Sequence, residues 1–169
     1  VWAEATFGKK RYQQDAGNAL RRRSLYLFWR RIVGPTTFFD VAKRQVCEVK
    51  PLRTNTPMHA LTTLNDVTYV EAARAFAQKL LLEAEEDEAR LNLAGKRLLA
   101  RTPSPEEGRI WQLSLDRARK AFTADPEAAK HFLSHGDWKH APGQDPVTHA
   151  AWAALCLNLF NLDETLNKE

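Results

Sequence analysis

Six polar residues bracket one short apolar segment: Arg53, Thr54, Asn55 and Thr56 precede it, and Asn65 and Asp66 follow it. Arginine and asparagine offer N–H donors and aspartate an acceptor, the chemistry of a polar ligand site. Arg44 and Cys47 lie close enough in sequence to join it. Arg44, Arg53, Asn55, Asn65 and Asp66 are therefore the candidate ligand-binding residues. The same set has a second use. Thr56 before Pro57 reads as a helix N-cap followed by a proline at the first helical position. Asn65 and Asp66 suit the exit of that helix and the entry to the next, and Arg53 can tie a loop to a carbonyl. Short polar side chains at helix ends need no ligand to explain them, so the architectural use is favoured.

The remaining candidates are weaker. His131 and His135 stand at i, i+4, with Asp137 and His140 near them, a spacing that can hold a metal on one helix face. A zinc site needs more ligands of fixed geometry. A mildly basic, exposed helix end is the preferred reading, and no metal or other cofactor is expected in this chain. Asp163 and Glu164 are adjacent and do not face each other on a helix, so they make a poor carboxylate pair. There is no glycine-rich phosphate loop, nucleophile elbow or His-Glu-x-x-His motif. Cys47 and Cys156 share no motif, and two buried free thiols are expected. The five tryptophans, at 2, 29, 111, 138 and 152, mostly fall at core spacing.

Positioning these residues falls to helices. Leu25, Phe28, Trp29 and Ile32 form an apolar stripe ended by Gly34-Pro35. Residues 44–52 alternate, which predicts a short strand or extended arm. A short helix with Met58, Leu61 and Leu64 follows Thr56. Asp66 or Thr68 caps a longer one carrying Tyr69, Val70, Ala73, Phe76, Ala77, Leu80 and Leu81, with Glu71 and Arg74 on its wet side, spaced to pair. Leu91, Ala94 and Leu98 mark another. Ser104-Pro105-Glu106-Glu107 is the strongest local signal, a capping box with proline at N1. Its helix presents Ile110, Trp111, Ser114, Leu115, Ala118 and Phe122. Asp125-Pro126 opens a short helix with Phe132 and Leu133 inward, and residues 134–144 form a loop. Asp145-Pro146 starts the last helix, striped by Val147, Ala151, Ala154, Leu155, Asn158 and Leu162. The expected fold is all-α: an antiparallel helical bundle with a short extended arm near 44–52, one domain over residues 1–169. Leu25, Phe28, Trp29, Leu61, Phe76, Leu80, Trp111, Leu115, Trp152 and Leu155 are the expected core.

A chain of 169 residues that is 44% hydrophobic and 27% charged can bury a self-sufficient core. No apolar run reaches bilayer length. The net charge of +4 is uneven. Lys9, Lys10, Arg11, Arg21, Arg22, Arg23, Arg30 and Arg31 crowd the early part, while Glu83, Glu85, Glu86, Asp87 and Glu88 form an acidic run. Such runs are more often solvated faces than recognition surfaces, so a nucleic-acid partner is not favoured. The start at Val1 rather than Met suggests a piece of a longer protein.

Three stretches together resemble a family. They are Arg22-Arg23-Ser24-Leu25-Tyr26-Leu27-Phe28-Trp29-Arg30-Arg31; Phe39-Asp40 through Arg44, Val46, Cys47 and Val49 to Arg53-Thr54-Asn55-Thr56-Pro57-Met58-His59-Ala60-Leu61 and Leu64-Asn65-Asp66; and Ala150-Ala151-Trp152 onward to Leu159-Phe160-Asn161-Leu162-Asp163-Glu164. The pattern is similar to the planctomycete-type domain of unknown function 1553, found near the C-terminus of large exported proteins and often accompanied by a cytochrome c domain. The resemblance covers essentially the whole chain, which would be the last part of that domain. It implies a periplasmic or otherwise exported setting, with upstream domains of the same polypeptide as partners. It implies no activity. His59 stands where relatives commonly have Gln, and the haem-binding Cys-x-x-Cys-His of the associated domain is absent from this sequence.

The leading expectation is a non-catalytic helical module packing on its own upstream domains or on a protein partner. The rival is a fragment of an enzyme whose active site is shared with a missing upstream domain, in a haem-linked redox protein. Nucleic-acid binding through the early arginines comes third.

Overall fold

Four helices begin where a short polar side chain is followed by a proline, at Thr56-Pro57, Ser104-Pro105, Asp125-Pro126 and Asp145-Pro146. The computed structural model describes residues 56–139 and 141–166, together with Gly8, Gly17 and Ala19. The chain separates into two compact units, Val1–Thr54 and Asn55–Glu169. The second unit contains α1 (Pro57–Asn65), α2 (Val67–Glu83), α3 (Asp87–Leu98), α4 (Pro105–Ala124), α5 (Pro126–Leu133), α6 (Pro146–Phe160) and α7 (Asp163–Leu166). No strand occurs among the described residues, and the expected arm at 44–52 lies outside them.

The starts are local chemistry. The Thr56 hydroxyl accepts from the His59 amide at 3.3 Å, and Asp125 and Asp145 do the same for Ala128 and Thr148 at 3.0 and 2.8 Å. Ser104 and Glu107 form the complete capping box: Glu107 N donates to Ser104 Oγ at 3.2 Å and Ser104 N donates to Glu107 Oε2 at 2.7 Å. Each satisfies an amide that has no partner within the helix. Ser104→Ala should therefore lower stability by about 1 kcal/mol in urea denaturation.

Packing is organised by α6, against which α2, α4 and α5 all lie. The expected one-sided stripe on α6 is corrected here. Nine of its fifteen residues are buried, and Asn158, placed in that stripe, is its one exposed residue. A helix covered on all sides has no polar face to keep, which is why its apolar residues run round the whole circumference. Around it pack Val70, Ala73, Ala77 and Leu80 of α2, Leu91 and Ala94 of α3, and Trp111 and Leu115 of α4.

Of the expected core, Leu80, Trp111, Leu115, Trp152 and Leu155 are buried, and Phe76 packs half-buried against them. Leu25, Phe28 and Trp29 lie outside the described residues. Two expectations fail. Leu61 is 56% exposed, as is its neighbour Met58 at 65%, because α1 turns the Thr63 side inward. Ile110 is also exposed. With Trp111 and Leu115 facing α6, the position before Trp111 is rotated toward solvent. Gly95 sits where a Cβ would lie 2.7 Å from Pro103 Cδ and 3.0 Å from the Arg101 carbonyl, so the α3–α4 connection crosses α3 at closer range than a side chain allows.

Candidate functional site

The sequence-marked cluster resolves into separate local jobs where it is described. Asn65 Nδ2 donates to the Leu61 carbonyl at 2.7 Å, and Asp66 Oδ1 accepts from the Thr68 amide at 2.8 Å. Asp66 closes α1 and opens α2 in one residue. Arg44, Arg53 and Asn55, with Cys47, lie outside the described residues. Thr63, not singled out from sequence, is buried, and its hydroxyl donates to Asn161 Oδ1 at 2.9 Å, joining α1 to the end of α6.

The densest buried polar arrangement lies elsewhere, between α2 and the segment 134–144. Arg74 is 2% exposed. This corrects the expectation that Arg74 lies on the wet side of α2. Its Nη1 donates to the His135 carbonyl, and its Nη2 donates to the Trp138 carbonyl at 3.2 Å. One turn before it, Glu71 Oε2 accepts from the Asp137 amide at 2.7 Å. One turn after it, Gln78 Oε1 accepts from the Ala141 amide at 3.2 Å. The spacing i, i+3, i+7 thus lines three polar side chains along one face of α2, each bonded to backbone of the segment. On the α6 side, fully buried His149 places Nε2 2.9 Å from the Arg74 carbonyl.

Burial pulls the Arg74 guanidinium below its ordinary value, and nearby Glu71 opposes that shift. The two forked nitrogens are engaged by carbonyls, while buried Nε has no partner among the described residues. The arrangement binds backbone and leaves the guanidinium no free fork to offer a ligand. Gly136 shows how tightly it closes. Its φ is +85°, and a Cβ there would lie 2.7 Å from Glu71 Cβ. Gly136→Ala should cost on the order of 2 kcal/mol from strain in the left-handed region, read as a fall in Tm with faster amide exchange at Asp137.

His131 and His135 lie with ring centroids 5.0 Å apart and planes nearly perpendicular, and His135 Nδ1 is 2.9 Å from the His131 carbonyl. No group of three potential metal ligands occurs among the described residues. His140 is not among them. Cys156 is a buried free thiol held well above its ordinary range by burial.

A second charged arrangement braces the helices. Asp87, read from sequence as part of a solvated acidic run, receives both Arg119 nitrogens at 2.6 and 2.9 Å and Arg90 Nη1 at 3.0 Å. Arg90 also stands over the Trp152 ring, 5.9 Å from its centroid. The Arg119 bond, with that of Arg90, holds the Asp87 carboxyl below its ordinary range despite partial burial. Glu107, paired with Arg101 and capping Ser104, is held down to about 2, and Asp145 is lowered by its bonds to Thr148. Carboxyls with depressed folded pKa values contribute stability that is complete above their unfolded values. That contribution is lost as pH falls through the folded ones. Stability should therefore decline below about pH 4, near the unfolded carboxyl values. Asp87→Asn should flatten that decline, measured by urea midpoints across the acid range.

The family model described as PSD1, a protein of unknown function (DUF1553), matches residues 3–115. The chain belongs to this family. No curated protein and no solved structure matches it. The DUF1553 match takes in α1 to α3 and the first half of α4. Glu71, Arg74 and Gln78 fall inside it, while the backbone they hold falls beyond its end, as do α5, α6 and the third of the resembling stretches. No helix among the described residues is long and apolar enough to cross a membrane.

Proposed function

We propose that this DUF1553 chain is a non-catalytic helical module that packs on upstream domains of its own polypeptide or on a partner protein. The observation that carries the proposal is the outer side of α1. Met58 and Leu61 are 65% and 56% exposed one turn apart on this helix. Burying a side chain of this size contributes about 1.5–3 kcal/mol, so the pair makes a sizeable driving force for docking. The polar residues at the ends of α1 support the same reading. Thr56, Asn65 and Asp66 each spend a side-chain atom on the helix backbone. The proposed setting is an exported, periplasmic protein of the planctomycete kind, on the strength of the sequence resemblance in residues 22–66.

The test compares amide exchange of α1 in the 169-residue chain and in the complete parent protein. Slower exchange in the parent is expected, with the difference removed by combining Met58→Glu and Leu61→Glu. These positions are exposed, so the isolated chain should keep its Tm. Equal exchange of α1 in chain and parent would sink the proposal.

A further inference from the structure

α4 carries a second outward surface of a different character. Viewed down the helix, Trp111, Leu115, Ala118 and Phe122 face the core. On the opposite side a single stripe runs through Glu106, Arg109, Ile110, Leu113, Arg117 and Lys120, all but its first residue basic or apolar. Ile110 and Leu113 are 60% and 50% exposed. Arg109, Arg117 and Lys120 make no ion pair among the described residues, in contrast to Arg90, Arg97, Arg101 and Arg119 of the same unit.

The connection between α2 and α3 is the converse. Leu82 is 66% exposed, the most exposed large apolar side chain among the described residues. Glu85, Glu86 and Glu88 beside it are exposed and unpaired among the described residues, whereas Glu83 and Asp87 are engaged. One surface thus offers unpaired cations around an apolar centre, and the other offers unpaired carboxylates around an apolar side chain. Opposite charges bordering apolar contacts are what orients and selects a partner surface.

We infer that the basic outer stripe of α4 docks on the acidic α2–α3 junction of a second copy of this chain. Leu82 of one copy would sit against Ile110 and Leu113 of the next, with Arg109, Arg117 and Lys120 meeting Glu85, Glu86 and Glu88. This surface is separate from the Met58–Leu61 side of α1, and the inference does not depend on what covers that side.

The test is sedimentation of the 169-residue chain over a wide concentration range, at about 0.01 M and about 1 M salt, where screening lengths are about 30 and 3 Å. At low salt the weight-average mass should rise with concentration above the 19.3 kDa of one chain, and high salt should return it to that value. Two charge-reversed variants follow. One combines Arg109→Glu with Arg117→Glu; the other combines Glu85→Lys with Glu86→Lys, leaving Glu88 to serve the first turn of α3. Each alone should weaken self-association at least about tenfold, since it sets like charges against each other. Mixed together, the two should associate again, because each reversed surface then faces its complement. Unchanged helical circular dichroism and Tm confirm that both variants are folded. A mass fixed at one chain under all conditions overturns the inference. So does association that ignores both reversals, or a mixture that fails to restore it. Association lost instead with Met58→Glu and Leu61→Glu would overturn it too, while identifying α1 as the self-contact.

Discussion

Trp152→Ala is expected to lower the stability of this chain by about 4 kcal/mol, the middle of the range for emptying a core aromatic site. Trp152 is 0% exposed and sits in the middle of α6, the helix on which α2, α4 and α5 converge. A cavity there has fixed walls on every side, so little collapse can offset it. A domain stabilised by about 5–15 kcal/mol in total would lose a large share. The ring also meets the Arg90 guanidinium, itself held by Asp87 and the Ala84 carbonyl. Removing the ring takes away one wall of that brace. Its buried Nε1, in contrast, has no hydrogen-bond partner among the described residues. Trp152→Phe keeps an aromatic wall and discards that unsatisfied donor, so it should cost far less than the alanine variant. Urea denaturation of both variants checks this. Equal losses would show that the indole nitrogen matters to stability in a way the structure does not contain.

Arg74→Ala is expected to cost about 3 kcal/mol, because it strands acceptors in a buried place, each worth about 1–3 kcal/mol when left unsatisfied. The carbonyls of His135 and Trp138 lose their donor together. Arg74→Met tests the same point with the stem retained. It fills the space and still leaves both carbonyls bare, so it should remain well below the parent. Arg74→Lys keeps a charge but cannot fork to two carbonyls from one planar head, and should fall between the methionine variant and the parent. The distinguishing readout is local. Amide exchange should accelerate at Asp137 and Ala141, whose N–H groups are held by Glu71 and Gln78 on either side of Arg74. If the three variants lose stability equally while those amides stay protected, the segment is held by something other than this row of side chains.

The helix starts were legible because a cap is made between neighbours in sequence. Thr56-Pro57, Ser104-Pro105-Glu106-Glu107, Asp125-Pro126 and Asp145-Pro146 each carry the acceptor, the preset φ and the first turn within four residues. The stripes of α2 and α3 were legible for a related reason. One side of each faces α6 or its neighbours and the other faces water, so period 3.6 survives in the sequence. On α6 that signal vanished, since a helix enclosed all round has no periodicity to read. On α1 the apolar spacing of Met58 and Leu61 was real, yet it marks an outer surface.

The sequence by itself determined the helical class, the caps and most of the core of α2 to α4, because local hydrogen bonding and the repeat of apolar residues are set by near neighbours. The polar arrangements were decided by the tertiary structure alone. Arg74 and Glu71 read as an exposed i, i+3 pair until the segment 134–144, some sixty residues onward, laid its carbonyls and amides across them. Asp87 read as one more solvated acid until Arg119 came within reach. A charged side chain leaves water only where partners are in place to meet it, and for these residues the partners lie on other helices and loops, where no spacing in the sequence points.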